Sequence, residues 1–343
     1  MMKKQSLNRK DFLRIVAAAG AAGLTAAWGW DALRSPRAVQ ETRFLMGTVV
    51  NLTVVGEDRQ ASQDALTSCF NRMEGLESIL SRHQPDSQLS LLNERGRLYK
   101  PSSALVEVIR AAQLISRETG GKFDITVKPL LDLYQHHQQN YSALPPRAAV
   151  RAALGLVDYR MIMLDEHEIQ LSREGMALTL DGIAKGYIVD AGVDSLDEHG
   201  FTNVLVEAGG DLGAFGQKSP DQPWTIGVRS PRDENQPLLT KLTVRSRSLA
   251  TSGDYLQSFS PDFRHHHILD PHRGISSPEL ASASVIAPSA LAADAYATAL
   301  MVMGPGDGSA LIERLSDVEA LMVTKDLAVR ETSGLGALRS FTG

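Results

Sequence analysis

Cysteine is nearly absent: Cys69 is the only one in 343 residues. A disulfide framework and a cysteine-ligated metal site are therefore excluded within the chain, and any metal must sit on oxygen or histidine ligands. Excess positive charge is lacking too. The formal net charge is −5, without the basic stripe of a nucleic-acid binder, so nucleic acid is not an expected partner. The spacings of a P-loop and of a Rossmann glycine fingerprint do not occur, and no internal repeat is present. What remains is ordinary globular composition, 43% hydrophobic, with enough length for a large core.

The first thirty residues differ from the rest. MMKKQSLNRKDFLRIV is basic, and the apolar run Ala17–Trp30 that follows is too short for a membrane span but fits the hydrophobic part of an export signal. Asn8–Ile15 (NRKDFLRI) resembles a twin-arginine signal, with Lys10 where the second arginine is expected. Thr25-Ala26-Ala27 is a poor cleavage site, so an uncleaved N-terminal anchor is the alternative; a lipoprotein anchor is ruled out because no cysteine lies nearby. The expected organisation is an export signal over 1–30, a polar linker over 31–40 and one folded domain over 41–343, in a periplasmic protein.

Along that domain, Thr48–Val55 is rich in β-branched residues and reads as a strand. Ala61–Leu80 carries apolar residues at helical spacing, and Ser103–Glu118 is a second helix stopped by Gly120-Gly121. Tyr134–Arg147 reads as a surface loop before a short helix from Ala148. Met176–Leu180 is strand-like, Gly186–His199 helical, and Asn203–Glu207, Trp224–Val228, Leu239–Val244, Ser282–Ala287 and Ala320–Thr324 are strands. Ala292–Met303 is a helix ended by Gly304-Pro305. Strands and helices alternate without a βαβ period, which predicts an α+β fold.

Five segments carry chemistry. In AADAYATALMVMG, Asp294 and Thr298 are four apart on one helix face. Their carboxylate and hydroxyl suit a hard cation such as Mg²⁺, although the same pair fits an ordinary solvated helix face. In LTLDGIAKGYIVD, Gly182 and Gly186 let backbone approach a ligand, the following helix start offers N–H groups to a phosphate, and Lys185 adds a point charge; a plain tight turn is the alternative. In GKFDITVKPL, alternation on a strand would put Asp124 and Thr126 on one side and Phe123 and Ile125 on the other. Among the consecutive His265, His266 and His267, strand neighbours face opposite ways, so the three do not ligate one metal. His267 is fixed by the Asp270-Pro271 turn and is the candidate base for an incoming hydroxyl. AGGD, Ala208–Asp211, reads either as strained backbone near a ligand or as an ordinary hairpin.

Eight blocks in order, FLMGT (Phe44–Thr48), PDSQLSLLN (Pro85–Asn93), GGKFDITVKPL (Gly120–Leu130), GIAKGYIVD (Gly182–Asp190), AGGDLGAFG (Ala208–Gly216), ATSGDY (Ala250–Tyr255), HHILDPHRG (His266–Gly274) and ADAYATALMVMG (Ala293–Gly304), resemble the ApbE family of FAD:protein FMN transferases. The resemblance implies an α+β, ApbE-type (T-fold-like) architecture with FAD in a cleft between two subdomains. It puts Met46, Lys122, Phe123, Asp124 and the backbone of Ile268 at FAD contacts, and Mg²⁺ on Asp294, Thr298 and the carbonyl of Gly182. The implied reaction moves FMN from FAD to a Thr or Ser hydroxyl of an acceptor flavoprotein, releasing AMP, with a membrane-associated redox complex as one setting. Two positions depart from the family pattern. His83 stands where many relatives have a Tyr able to stack on the flavin nucleotide. Thr179-Leu180-Asp181-Gly182 stands for Asp-Leu-Gly-Gly, so Asp181 is the substitute acid for the position of Thr179; a similar pattern in NosX-like relatives points to a subgroup. A non-catalytic flavin-binding accessory protein and an FAD pyrophosphatase are the competing readings.

Overall fold

The computed structural model describes residues 37–219, 221–232 and 238–339; the expected export signal lies outside them. The strands, in chain order, are β1 Arg37–Leu45, β2 Thr48–Gly56, β3 Arg97–Tyr99, β4 Ile162–Leu164, β5 Glu168–Leu171, β6 Val204–Ala208, β7 Asp211–Phe215, β8 Gln217–Ser219, β9 Gln222–Arg229, β10 Leu238–Val244, β11 Arg247–Gly253, β12 Leu280–Ala287, β13 Glu319–Thr324 and β14 Val329–Glu331. The helices are α1 Arg59–Leu80, α2 Gln88–Arg95, α3 Ser103–Glu118, α4 Lys128–Tyr141, α5 Arg147–Leu154, α6 Ala184–Glu198 and α7 Ala290–Ile312. Every strand pairing among them is antiparallel. One sheet of eight strands runs β1-β2-β6-β7-β11-β12-β13-β14, and two three-stranded sheets, β10-β9-β8 and β3-β5-β4, complete the mixed α/β body.

The sequence explains the packing. In β2 the alternation of Val50, Leu52 and Val54 turns three fully buried side chains to one face. Strand β12 (LASASVIA) is buried along its whole length, and its alanines and serines leave room for a helix to lie close. That helix is α7, apolar on all sides, as a helix at the centre of a body must be. It breaks where Gly304 takes φ 78°, ψ 176° before Pro305, which is the stop read from the sequence. Asp58 caps α1 by accepting from Gln60 N and Ala61 N, and Ser102 caps α3 through Leu105 N.

Four expectations need correction. Residues 37–40, assigned to the linker, belong to β1, paired in register with β2 from Arg37↔Gly56 onward. The loop expected over 134–147 is helix α4 as far as Tyr141: Pro129 starts it, and Leu130, Leu131 and Tyr134 bury one face of an otherwise polar segment. Met176–Leu180 is no strand and joins no sheet. The side-chain amide of Asn93 takes both main-chain groups of Leu178, accepting from its N at 2.6 Å and donating to its O at 2.9 Å. Asp124–Val127 is not a strand. Asp124 caps a turn of 3₁₀ helix over Ile125–Val127, its Oδ1 accepting from Thr126 N at 2.8 Å and Thr126 Oγ1 at 2.6 Å, so local side-chain hydrogen bonds displace the extended form.

Candidate active site

Helix α7 crosses α6 at unusually short range. A Cβ on Gly186 would lie 2.2 Å from Ala290 O, so only glycine admits this approach. The crossing is pinned by Asp190, on α6, which accepts from Ala290 N (2.7 Å) and Leu291 N (2.8 Å) at the start of α7. Gly186 N in turn donates to Asp294 Oδ2 at 3.1 Å. Asp294 is thereby held inside the body at 5% exposure, not on the solvated face that its helical spacing also allowed. Thr298, one turn on, has its Oγ1 3.1 Å from Ser252 Oγ, and a Cβ on Gly182 would meet that same Thr298 Oγ1 at 2.8 Å. A carboxylate, two hydroxyls and the backbone of Gly182 thus converge.

These groups line one side of an open cleft, the kind of concave site in which small molecules bind. The other walls include Lys122, Phe123, Asp124, Ile125 and Val127, then Thr179, Asp181, Gly182 and Lys185, then Leu256 with His267–Leu269 and Pro271. The walls are tied together: Lys122 Nζ reaches Asp270 Oδ2 at 3.1 Å, and Arg82 Nε donates to Asp181 Oδ2 at 2.7 Å.

The electrostatics are set by burial. Asp294 is pushed well above the usual carboxylate range, first by burial and then by the nearby charge of Asp211. Lys185 pairs with Asp211 at 3.0 Å; burial opposes its charge, but Asp211 and Asp294 more than offset this and raise its pKa. A carboxylate so destabilised, beside hydroxyl oxygens, suits a hard divalent cation. Asp294 Oδ1 makes no hydrogen bond among the described residues, whereas Oδ2 holds Gly186 N. The donor set, all oxygen, fits Mg²⁺ better than zinc or copper.

The adjacent histidines have opposite fates. His266 is fully buried, donates from Nε2 to Ser277 O at 2.9 Å and accepts at Nδ1 from Ile268 N at 3.3 Å; burial pushes its pKa down to about 4. His267 lines the cleft. Its Nδ1 lies 3.2 Å from Gln257 O, and a carbonyl only accepts, so the neutral ring carries its proton on Nδ1. Nε2 keeps a free lone pair, and burial lowers the pKa further from 6.5. The geometry is that of a base with its second nitrogen anchored. The strap leading to His267 is fixed at Asp254, fully buried between Arg232 (2.7 Å) and Lys325 (2.5 Å).

A model of the ApbE family matches residues 46–322. The chain belongs to the ApbE family. It is 30% identical to the FAD:protein FMN transferase of Treponema pallidum (strain Nichols), over 87% of this chain and 88% of that one. To the FAD:protein FMN transferase of Klebsiella pneumoniae (strain 342) it is 31% identical, over 84% and 90%. Among solved structures, the ApbE protein of Thermotoga maritima superposes with a TM-score of 0.81 at 27% identity, covering 89% of this chain and all (100%) of that one. The apo flavinyl transferase ApbE of Pseudomonas stutzeri gives 0.78 at 28% identity, covering 89% and 99%.

In this ApbE-family chain the cleft gathers Lys122, Phe123, Asp124, Thr179, Asp181, Gly182, Lys185, His267, Ile268, Asp294 and Thr298. Met46 and His83 are not among its lining residues. Met46 sits at the β1–β2 turn with φ 52°, and His83 is exposed, next to Arg82. The carboxylate of Asp124 is engaged within the fold, with Oδ2 accepting from Tyr159 N at 2.9 Å besides the Thr126 bonds. Both main-chain groups of Ile268 have protein partners, its N–H on His266 and its carbonyl accepting from Ser277 N at 3.3 Å. Ser252 lines the cleft, and Asp211 and Arg82 pair with the lining residues Lys185 and Asp181; sequence reasoning gave none of the three a role in the site. Ser252 stands in the ATSGDY block, and Asp211 in the AGGD block was read only as part of a backbone turn.

Proposed function

We propose that this chain is an FAD:protein FMN transferase, using Mg²⁺, that moves FMN from FAD to a Thr or Ser hydroxyl of an acceptor protein and releases AMP. The observation that carries the reading is the cleft itself: an imidazole with an open Nε2 lines the same cleft as a buried oxygen-donor set, in a chain of the ApbE family. The Asp294 carboxylate, the Thr298 and Ser252 hydroxyls and the Gly182 carbonyl would hold the cation, which supplies charge neutralisation on the diphosphate. Phosphoryl transfer needs positioning and charge stabilisation more than a covalent nucleophile. His267 Nε2 takes the acceptor hydroxyl proton as the oxygen bonds to the FMN phosphorus. The bond from that phosphorus to the bridging oxygen breaks, and AMP leaves with the bridging oxygen. Lys122 and Lys185 add positive charge along the cleft, and the Arg82–Asp181 pair closes its rim. Export by the twin-arginine-like segment, to a periplasmic acceptor, belongs to the same proposal.

The test mixes the purified chain, FAD, Mg²⁺ and a candidate acceptor protein. Flavin fluorescence that stays with the acceptor on a denaturing gel supports transfer. Free FMN and AMP without a labelled band mark a pyrophosphatase, and unchanged bound FAD marks an accessory flavin-binding protein.

A further inference from the structure

The AGGD block has no part in the chemistry so far, yet it is built with care. Ala208 and Asp211 pair across the β6–β7 hairpin, and the two turn residues, Gly209 (φ 58°) and Gly210 (φ 101°), both take the left-handed backbone that glycine tolerates. A Cβ on Gly209 would lie 2.5 Å from Thr48 Oγ1, and Gly209 N donates to Val49 O at 3.2 Å. The turn therefore packs directly on the Met46–Thr48 hairpin. Two of the family blocks are brought together at one end of the sheet, and the product of their packing is a fixed, fully enclosed Asp211 at 1% exposure.

Asp211 Oδ2 meets Lys185 Nζ at 3.0 Å, and Oδ1 accepts from Thr251 N at 3.4 Å. Asp211 does not line the cleft, whereas Lys185 does, together with Asp294, and its ammonium is influenced by both carboxylates. Burying a carboxylate is costly unless it is paired, and Lys185 is the only cation in salt-bridge range of Asp211 among the described residues. A lysine stem is flexible and loses rotamer freedom when its ammonium is held. A buried anion paired with it removes that freedom before a ligand arrives, while Lys185 still lines the cleft.

We infer that Asp211 is a positioning residue, which holds the Lys185 ammonium where it meets the diphosphate of bound FAD. The inference rests on the flavin-transferase reading. Its reach is the phosphates alone, because Lys185 stands with the oxygen-donor set and Asp211 touches the cleft only through it.

The test is a double-mutant cycle on FAD affinity, with riboflavin, which has the ring system and no phosphate, as the control. Lys185→Met weakens FAD binding by ~10–100-fold, the scale of losing a hydrogen bond to a charged group. Asp211→Asn weakens it by roughly 10-fold in the wild-type background and by nothing further in Lys185→Met. Riboflavin affinity is the same in all four proteins. A loss from Asp211→Asn that persists in the Lys185→Met background, or that extends equally to riboflavin, overturns the inference, since a general structural role predicts both. If Asp211→Asn does not fold, Lys185→Met/Asp211→Leu, with apolar side chains replacing the ion pair, is compared with Lys185→Met: equal FAD affinity supports the inference and a further loss contradicts it. A wild-type chain that binds no FAD at all removes the transferase reading itself.

Discussion

Two neighbouring histidines in this chain use their ring nitrogens in opposite ways, and the difference has measurable consequences. His267 is anchored through Nδ1 on Gln257 O and lowered in pKa by burial. Its basic form therefore persists below pH 6.5, and the acid limb of the transfer-rate profile is expected to inflect below that value. The limb is expected to vanish in His267→Ala, which binds FAD normally and transfers FMN at least ~10²-fold more slowly. A single-turnover pH series on both proteins checks this; an acid limb unchanged in the variant removes His267 as the base. His266 is anchored through Nε2 and is a core residue, with its folded pKa near 4 against about 6.5 unfolded. Its stabilising contribution is whole above pH 6.5 and is lost as pH falls through about 4. The stability gap between wild type and His266→Gln, measured by urea unfolding, is accordingly widest above pH 6.5 and narrows toward pH 4. In HHH the strand rule served only to exclude a shared metal site, and His267 was singled out by the Asp270-Pro271 turn; the segment lies outside the strands, with a single isolated bridge at His266. Which nitrogen carries each proton was not legible, because it depends on the carbonyls of Gln257 and Ser277, ten and eleven residues away.

At the scale of elements, the site depends on how closely α6 and α7 approach. Gly186→Ala puts a methyl against the Ala290 backbone and must push α7 away, separating Asp294 from Gly186 N. Overpacking of this kind costs about 1–3 kcal/mol, so a lower Tm together with weaker Mg²⁺ binding is expected; a variant with native Mg²⁺ affinity contradicts the packing argument. Asp294→Asn behaves differently. It removes a buried carboxylate that faces Asp211 and keeps an oxygen for Gly186 N. Its Tm in chelator is expected at or above that of wild type, and the rise in Tm that Mg²⁺ gives the wild type is expected to disappear. Calorimetry with and without Mg²⁺ decides the matter; a Mg²⁺-dependent rise that survives in Asp294→Asn refutes its role as a ligand. The i, i+4 pair on α7 and its stop at Gly304 could be read directly from periodicity. The burial of Asp294 could not, because it is made by α6, a hundred residues earlier in the chain. Likewise Asp124 and Met176–Leu180 were misread as strands because side chains, those of Asp124 itself and Asn93, take over the hydrogen bonds a strand would use.

For the whole molecule, an eight-stranded antiparallel sheet and its central helix bring residues 122–131, 179–185, 251–271 and 294–302 to one cleft. The ordered blocks of the sequence made that convergence readable before any contact was known; the pairing of the Met46–Thr48 and Ala208–Asp211 turns appears only once the sheet order is known. The proposed export belongs to this scale too. Replacing Arg9 and Lys10 by glutamine is expected to leave the protein in the cytoplasm, as cell fractionation would show, and an unchanged periplasmic yield contradicts the twin-arginine route. The measurement that bears most directly on the central proposal follows both halves of FAD at once. With purified chain, Mg²⁺ and an acceptor protein, covalent flavin on the acceptor is expected to rise in step with released AMP, one for one. AMP released without acceptor-bound flavin, with free FMN in its place, would contradict it.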